Sequence, residues 1–284
     1  MREGRHRQLA HLVSGLLLRL AGPLQSWGHH SAFHHRDTAA HPTRSALIGM
    51  FASAQGRPRD HALDPYPDLP GNPSHHDLTF TVRIDKPGTP HTDYHTVGGA
   101  RYRGRGREGL LPTSDGGHRT EAASTLQSWR HYLADAVFTV AVHGPAPLIA
   151  RIADALAEPH WAPFLGRRTC IPDEPLVLTP TPVTDPVTEL LTRAPLTLTH
   201  PPEPGHDSVD VDIVWEHPPP TRPDHRYSEL PAEPVDFTSH HRLHLPRPLW
   251  RTTESLPAHL YAGHRPLDAL TRYVLKDTPC PSSP

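Results

Sequence analysis

Asp135-Ala136-Val137-Phe138-Thr139-Val140-Ala141-Val142-His143 is followed, after Gly144, by Pro145-Ala146-Pro147-Leu148-Ile149-Ala150-Arg151-Ile152-Ala153-Asp154-Ala155-Leu156-Ala157-Glu158. The first stretch is β-branched and aromatic and bounded by turn residues, which predicts a strand. In the second, Leu148, Ile149, Ile152, Ala153 and Leu156 recur at helical spacing, so Pro145–Glu158 reads as an amphipathic helix with those five side chains inward. Strand followed directly by helix is half of a repeating pattern, and the other half lies upstream. Leu16, Leu17, Leu18 and Leu20 form a short apolar run, interrupted only by Arg19, that reads as a buried strand ending at Gly22-Pro23. Pro42-Thr43 then opens a helix over about Arg44 to Gln55. Thr43 is its N-cap and Gly56 its terminator, and Leu47 with Phe51 and Ile48 with Ala52 form the buried stripe. Leu78 to Asp85 alternates as a third strand, and His91 to Val97 is expected beside it. Strand, helix, strand, strand, helix is the order of a ferredoxin-like, RRM-like α+β sandwich.

Between these elements, Gly98 to Thr125 carries seven glycines and five arginines with little apolar content. Such a segment cannot pack in a core and is expected to project as an Arg/Gly-rich thumb, spanning about 91–128. Later strands are expected at Pro175–Leu178, Val209–Trp215 and Arg242–Leu245, with a Pro-, His- and acid-rich loop or insertion over 199–239. The chain thus divides into an extension at 1–13, an RRM-like unit at 14–198, and a Pro/His-rich insertion with C-terminal strands of the same domain at 199–284.

The 284 residues are 36% hydrophobic, enough for a core, and the 36 prolines require extended or irregular stretches. The formal net charge of −2 gives no global basic excess, so any affinity for nucleic acid must come from local clusters. Nearly all cations are arginines; Lys86 and Lys276 are the only lysines. Cys170 and Cys280 form neither a disulfide framework nor a ligand spacing, which fits a reducing cytoplasm. The Gly15–Leu20 run is too short to span a bilayer, so no membrane is expected.

Five blocks in order bear a family likeness: Leu18-Arg19-Leu20-Ala21-Gly22-Pro23-Leu24-Gln25-Ser26-Trp27-Gly28; Pro42-Thr43-Arg44-Ser45-Ala46-Leu47-Ile48-Gly49-Met50; Asp93-Tyr94-His95-Thr96-Val97 with Gly99-Ala100-Arg101; Leu126-Gln127-Ser128-Trp129-Arg130-His131-Tyr132-Leu133-Ala134-Asp135-Ala136; and Pro163-Phe164-Leu165-Gly166-Arg167-Arg168-Thr169-Cys170. Together they resemble the CasD family, the RAMP-superfamily subunit that holds the 5′ handle of the crRNA in type I-E Cascade, the CRISPR surveillance complex of antiviral defence. The resemblance implies an RNA-binding, non-catalytic subunit without cofactors. It also implies that the chain caps the guide, contacts the Cascade large subunit and a backbone subunit, and meets target DNA only through the complex.

The same residues have a physical reading. Arg101 and Arg103, continuing to Arg105 and Arg107, alternate with Tyr102 and glycines. At period two the guanidiniums share one side, where each can fork a phosphate, and Tyr102 on the other side could stack on a base. The alternative is a solvated RG-rich loop. Gly166-Arg167-Arg168 is either a charged turn or a phosphate contact whose glycine frees a backbone N–H. Gln25 and Ser26 are candidates for base or sugar contacts; Trp27 is either that or a core plug. Arg44 and Ser45 stand at a helix N-terminus, which favours an anion. His95 and Thr96 either bond the RNA backbone or are structural.

Two enzymatic readings compete. A metal-independent endoribonuclease that processes repeat RNA needs a base for the 2′-hydroxyl and an acid for the leaving oxygen. Tyr94 and His95 would be its candidates, but adjacent residues rarely converge on one bond. A metal hydrolase could be sought in the pairs His29-His30, His34-His35, His75-His76 and His240-His241, yet adjacent histidines in a strand diverge and no ligand motif is present. Neither catalytic nor metal-ligating residues are therefore assigned.

Overall fold

The computed structural model describes residues 13–28, 31–32, 34–97, 113, 115–120, 125–179, 181–219, 226–238 and 243–276. It is a mixed α+β structure in which the named strands form two sheets. The larger is wholly antiparallel and contains β1 (Val13–Ala21), β5 (Thr79–Lys86), β8 (Val137–Pro145), β9 (Ser208–Trp215), β10 (Arg226–Asp236) and β11 (Leu243–Pro257), in the order β1-β8-β5-β9-β11-β10. The expected strand at 175–178 is not a regular strand. It belongs to an irregular segment that closes the outer edge of β1: Arg19 N–H donates to Leu176 O at 2.8 Å, Leu178 N–H to Leu17 O at 2.9 Å, and Gly15 bridges Val183.

The sheet separates its two faces by strand period. Leu18, Val140, Val82 and Val214 lie side by side across four strands and are buried. They face α1 (Arg44–Ala54) and α2 (Ala146–Ala157), and all five predicted inward residues of α2 are buried. Thr43 has the extended N-cap conformation without a side-chain capping bond, and Gly56 ends α1 at φ +70°.

One step along each strand, the row Arg19, Thr139, Arg83 faces the other way and is fully buried. Asp85 joins it, accepting from Arg19 Nη1 at 2.8 Å and from Arg83 Nε at 2.7 Å. Glu174 accepts from Arg19 Nε at 2.7 Å, and Leu190 O and Pro195 O accept from Arg83 at 2.6 and 2.7 Å. Every guanidinium edge is thereby satisfied, which is the condition for burying such charges. This face is covered by α3 (Pro186–Thr192) and α4 (Pro266–Lys276), whose Leu190 and Leu270 pack with Leu17, Ala141 and Leu178. The strand expected at 209–215 is β9, whereas the later part of the 199–239 stretch, expected as loop or insertion, contains β10. The third expected late strand extends to the 15 residues of β11.

The second sheet consists of β2 (Leu24–Gln25), β3 (Ser31–Ala32), β4 (His35–Arg36), β6 (Thr89–Val97) and β7 (Leu126–Ala134). β6 pairs with β7, not with β5 as its sequence position suggested. β5 runs into β6, and β7 into β8, so both sheets share one two-stranded ribbon. It bends at Gly88, with φ +75°, opposite Asp135, with φ +56°. A Cβ on Gly88 would lie 2.7 Å from Ala136 Cβ, so the bend requires glycine.

Candidate nucleic-acid interface

The blocks that carried the family likeness converge beside this ribbon. β7 takes β6 on one side; on the other it takes β2 at Leu133–Ala134 and β4 at Trp129–Arg130. The Leu165–Cys170 loop docks on β2: Ser26 N–H donates to Leu165 O at 3.1 Å, and Leu165 N–H to Cys170 O at 2.7 Å. Gly166 has φ +86°, and a Cβ there would fall 1.8 Å from Ser26 O. Its N–H is not free for a phosphate, because it donates to Phe164 O at 3.0 Å. The glycine is needed for close approach to Ser26.

Arg167 is half-buried in this corner. Its guanidinium carbon lies 4.7 Å from the Tyr132 ring centre and its Nη2 donates to Arg36 O at 2.8 Å. Its Nη1 is shielded and has no hydrogen-bond partner among the described residues. Arg168 and Arg36 are exposed.

On one face of the ribbon stand His35, Trp129 and Tyr94, each on a different strand but at the same level. His35 stacks on Trp129 with ring centres 5.1 Å apart and planes at 12°, and Tyr94 lies 5.5 Å away on the other side. Tyr94 and Trp129 are 52% and 39% exposed, so this aromatic row faces solvent and not a core. The reverse face carries Arg36, Arg130, Asp93 and His95. His95 Nδ1 lies 3.7 Å from Asp93, and Thr96 is exposed.

Several predicted contacts point elsewhere. Gln25 is fully buried: its amide donates to Leu20 O at 2.9 Å and Ala136 O at 2.8 Å, while its oxygen accepts from Trp27 Nε1 at 3.2 Å. Trp27 is also fully buried, which is the core-plug alternative. Ser26 Oγ is used internally, donating to His131 O at 2.9 Å. Arg44 turns inward from α1, donating to Leu78 O and His76 O at 2.8 and 2.9 Å. It pairs with Glu216 at 2.9 Å and Glu233 at 2.8 Å, so no charge is left for an external anion. Burial raises the Glu216 pKa even beside Arg44 and Arg247. Ser45 is half-buried, with Oγ 3.3 Å from Thr43 Oγ1. Arg101, Tyr102 and Arg103 lie outside the described residues.

The catalytic alternatives find no convergent geometry among the described residues. Tyr94 and His95 face opposite sides of β6, and Lys86 pairs with Asp135 at the bend. His34 and His35 diverge: His34 Nδ1 is 2.9 Å from Gln127 O, while His35 stacks on Trp129. His75 is a buried neutral histidine whose pKa falls to about 4 through desolvation, whereas exposed His76 pairs with Glu233. Burial raises the Cys170 thiol pKa. No set of three His, Cys, Asp or Glu side chains could hold a metal ion, and no helix is long and apolar enough to cross a membrane, among the described residues. The sequence alone assigned no RNA contact to Trp129, Tyr94, His35 or Arg130. The available signal was aromatics alternating with polar residues on two strands whose registers match.

The molecule is thus an α+β protein whose central antiparallel sheet extends into a bent ribbon with exposed aromatic and cationic faces. Residues 15–253 match the model of the CRISPR-associated protein (Cas_Cas5) family, and the chain belongs to that family. It is 34% identical over 197 residues to the CRISPR system Cascade subunit CasD of Escherichia coli strain K12, covering 64% of this chain and 78% of that protein. A chain of a CRISPR RNA-guided surveillance complex superposes with a TM-score of 0.78 at 43% identity, covering 92% of this chain and all of the other. A second solved structure, of a Cas protein, has a TM-score of 0.56 at 26% identity, covering 87% and 97%.

Proposed function

We propose that this chain is a subunit of a type I-E Cascade complex that binds and caps the 5′ handle of the crRNA. The observation that carries the reading is the convergence of Leu24–Trp27, the β6–β7 ribbon and the Leu165–Cys170 loop in one corner. Exposed Arg36 and Arg168, beside half-buried Arg167, offer donors to phosphate there. Arg101 and Arg103, which follow β6 in sequence, belong to the proposed Arg/Gly-rich thumb and add to that basic character. Edge segment 176–183, β1, β8 and β5 follow the 4-1-3-2 order of a ferredoxin-like unit, with β9–β11 appended to it. Its second face is covered by α3 and α4, so RNA is held on the ribbon and not on an open sheet face as in RRM readers. The subunit is non-catalytic and cytoplasmic, contacts the large and backbone subunits, and meets target DNA only through the assembled complex.

The test is retention of guide RNA by the complex reconstituted in chelator, with Arg167→Ala plus Arg168→Ala and, separately, Arg101→Ala plus Arg103→Ala. An intact handle, protected from nuclease in wild type and exposed in the variants, is the expected result. Site-specific cleavage of repeat RNA by this chain alone would overturn the reading in favour of an endoribonuclease.

A further inference from the structure

We infer that the row His35–Trp129–Tyr94 is a stacking platform for one unpaired nucleobase of the bound guide RNA, with Trp129 and Tyr94 as the base-contacting side chains. The inference rests on the functional reading above and adds to it a chemical subsite. A tryptophan and a tyrosine at 39% and 52% exposure on neighbouring strands leave apolar ring surface in water. Among the described residues their ring contacts are with each other and with His35, which lies nearly parallel to Trp129. Along the strands on that face come Thr92, Thr96, Gln127 and His131, with Thr92 Oγ1 3.1 Å from His131 Nδ1. These are hydroxyl, amide and imidazole groups. None is a carboxylate that would repel phosphate. Arg130 and Arg36 occupy the reverse face at the next level, within the same two strands, so RNA wrapping an edge of the ribbon can set a base on the rings and phosphates further along the strand beside the guanidiniums. Stacking accepts any base, so the platform fixes the position of a nucleotide without reading its identity.

The experiment uses the reconstituted complex and cognate guide RNAs carrying a single abasic nucleotide at each handle position in turn. In wild type, one abasic position should weaken retention of the guide about tenfold, equivalent to about 1.4 kcal/mol. In Trp129→Ala or Tyr94→Ala, retention should already be reduced by a similar factor and should no longer respond to that position, the signature of a broken pairwise contact. Trp129→Phe should restore most of the retention and the positional response. It also controls for misfolding, which melting of each variant monitors. 2-Aminopurine at the same position should be quenched in wild type and brighten in Trp129→Ala. Guide retention with no position coupled to Trp129 or Tyr94 would overturn the inference alone. So would a Trp129→Ala complex that keeps its guide but sheds a protein subunit, since the row would then be a protein contact. A wild-type complex that leaves the handle unbound would overturn the functional reading, and the platform with it.

Discussion

Two rows of side chains lie on the same two-stranded ribbon, on either side of its bend at Gly88, and they have opposite fates. In the β5–β8 half, Arg83 and Thr139, with Arg19 of β1, are sealed under α3 and neutralised by Asp85 and Glu174. In the β6–β7 half, Tyr94 and Trp129, with His35 of β4, stand in water. By polarity alone one would expect the reverse. The difference teaches that strand period determines only which residues share a face. What covers the face decides whether a charge becomes a structural pin or an aromatic becomes a contact.

The largest expected effect breaks the buried row. Asp85→Ala leaves two fully buried guanidiniums with reduced compensation and should destabilise the chain by about 3–5 kcal/mol, read from denaturant midpoints. Trp129→Ala, in the exposed row, should leave the midpoint nearly unchanged, and a comparable loss there would erase the contrast.

Next comes acid. His75 is fully buried; its Nδ1 lies 2.8 Å from Ala62 O, and its Nε2 lies 3.1 Å from the Tyr66 hydroxyl. Its pKa is lowered from 6.5 to about 4, chiefly by desolvation. The folded value lies below the unfolded one, so this contribution to stability is complete above pH 6.5. It falls by about 1.4 kcal/mol per pH unit as the solution is acidified toward pH 4. Thermal melts from pH 7 to 4 should show that slope, and His75→Ala should flatten it at lower overall stability.

A smaller effect is expected at the docking loop. Gly166→Ala would place a Cβ against Ser26 O in a left-handed backbone and should cost about 1–3 kcal/mol, with weaker guide retention because Arg167 and Arg168 shift. Smallest for the fold is Arg167→Ala plus Arg168→Ala. Stability should change by less than about 1 kcal/mol, while the salt dependence of guide retention should lose roughly 0.7 per phosphate contact removed.

Much of the core was legible because periodicity is local. Leu16–Leu20, Leu47/Phe51, Leu78–Asp85 and the five inward residues of α2 occupy the predicted elements. Less legible were features set by distant partners. Arg19 looked like an interruption because Asp85 and Glu174, 66 and 155 residues away, are what bury it. Arg44 at a helix N-terminus suggested an anion site, but its anions are Glu216 and Glu233 of the same chain. β10 was hidden by Pro231 and Pro234, which an edge strand tolerates. The corner itself was half visible: its blocks were recognised, while Trp129 and Tyr94 acquire meaning only once the β6–β7 register aligns them.

The most direct test is photocrosslinking of guide RNA, with a reactive nucleotide at each handle position, in the assembled complex, followed by peptide mapping. Crosslinks should fall on β6, β7 and the Leu165–Cys170 loop. Crosslinks confined to α3, α4 or the β10–β11 hairpin would contradict the placement of the handle on the bent ribbon.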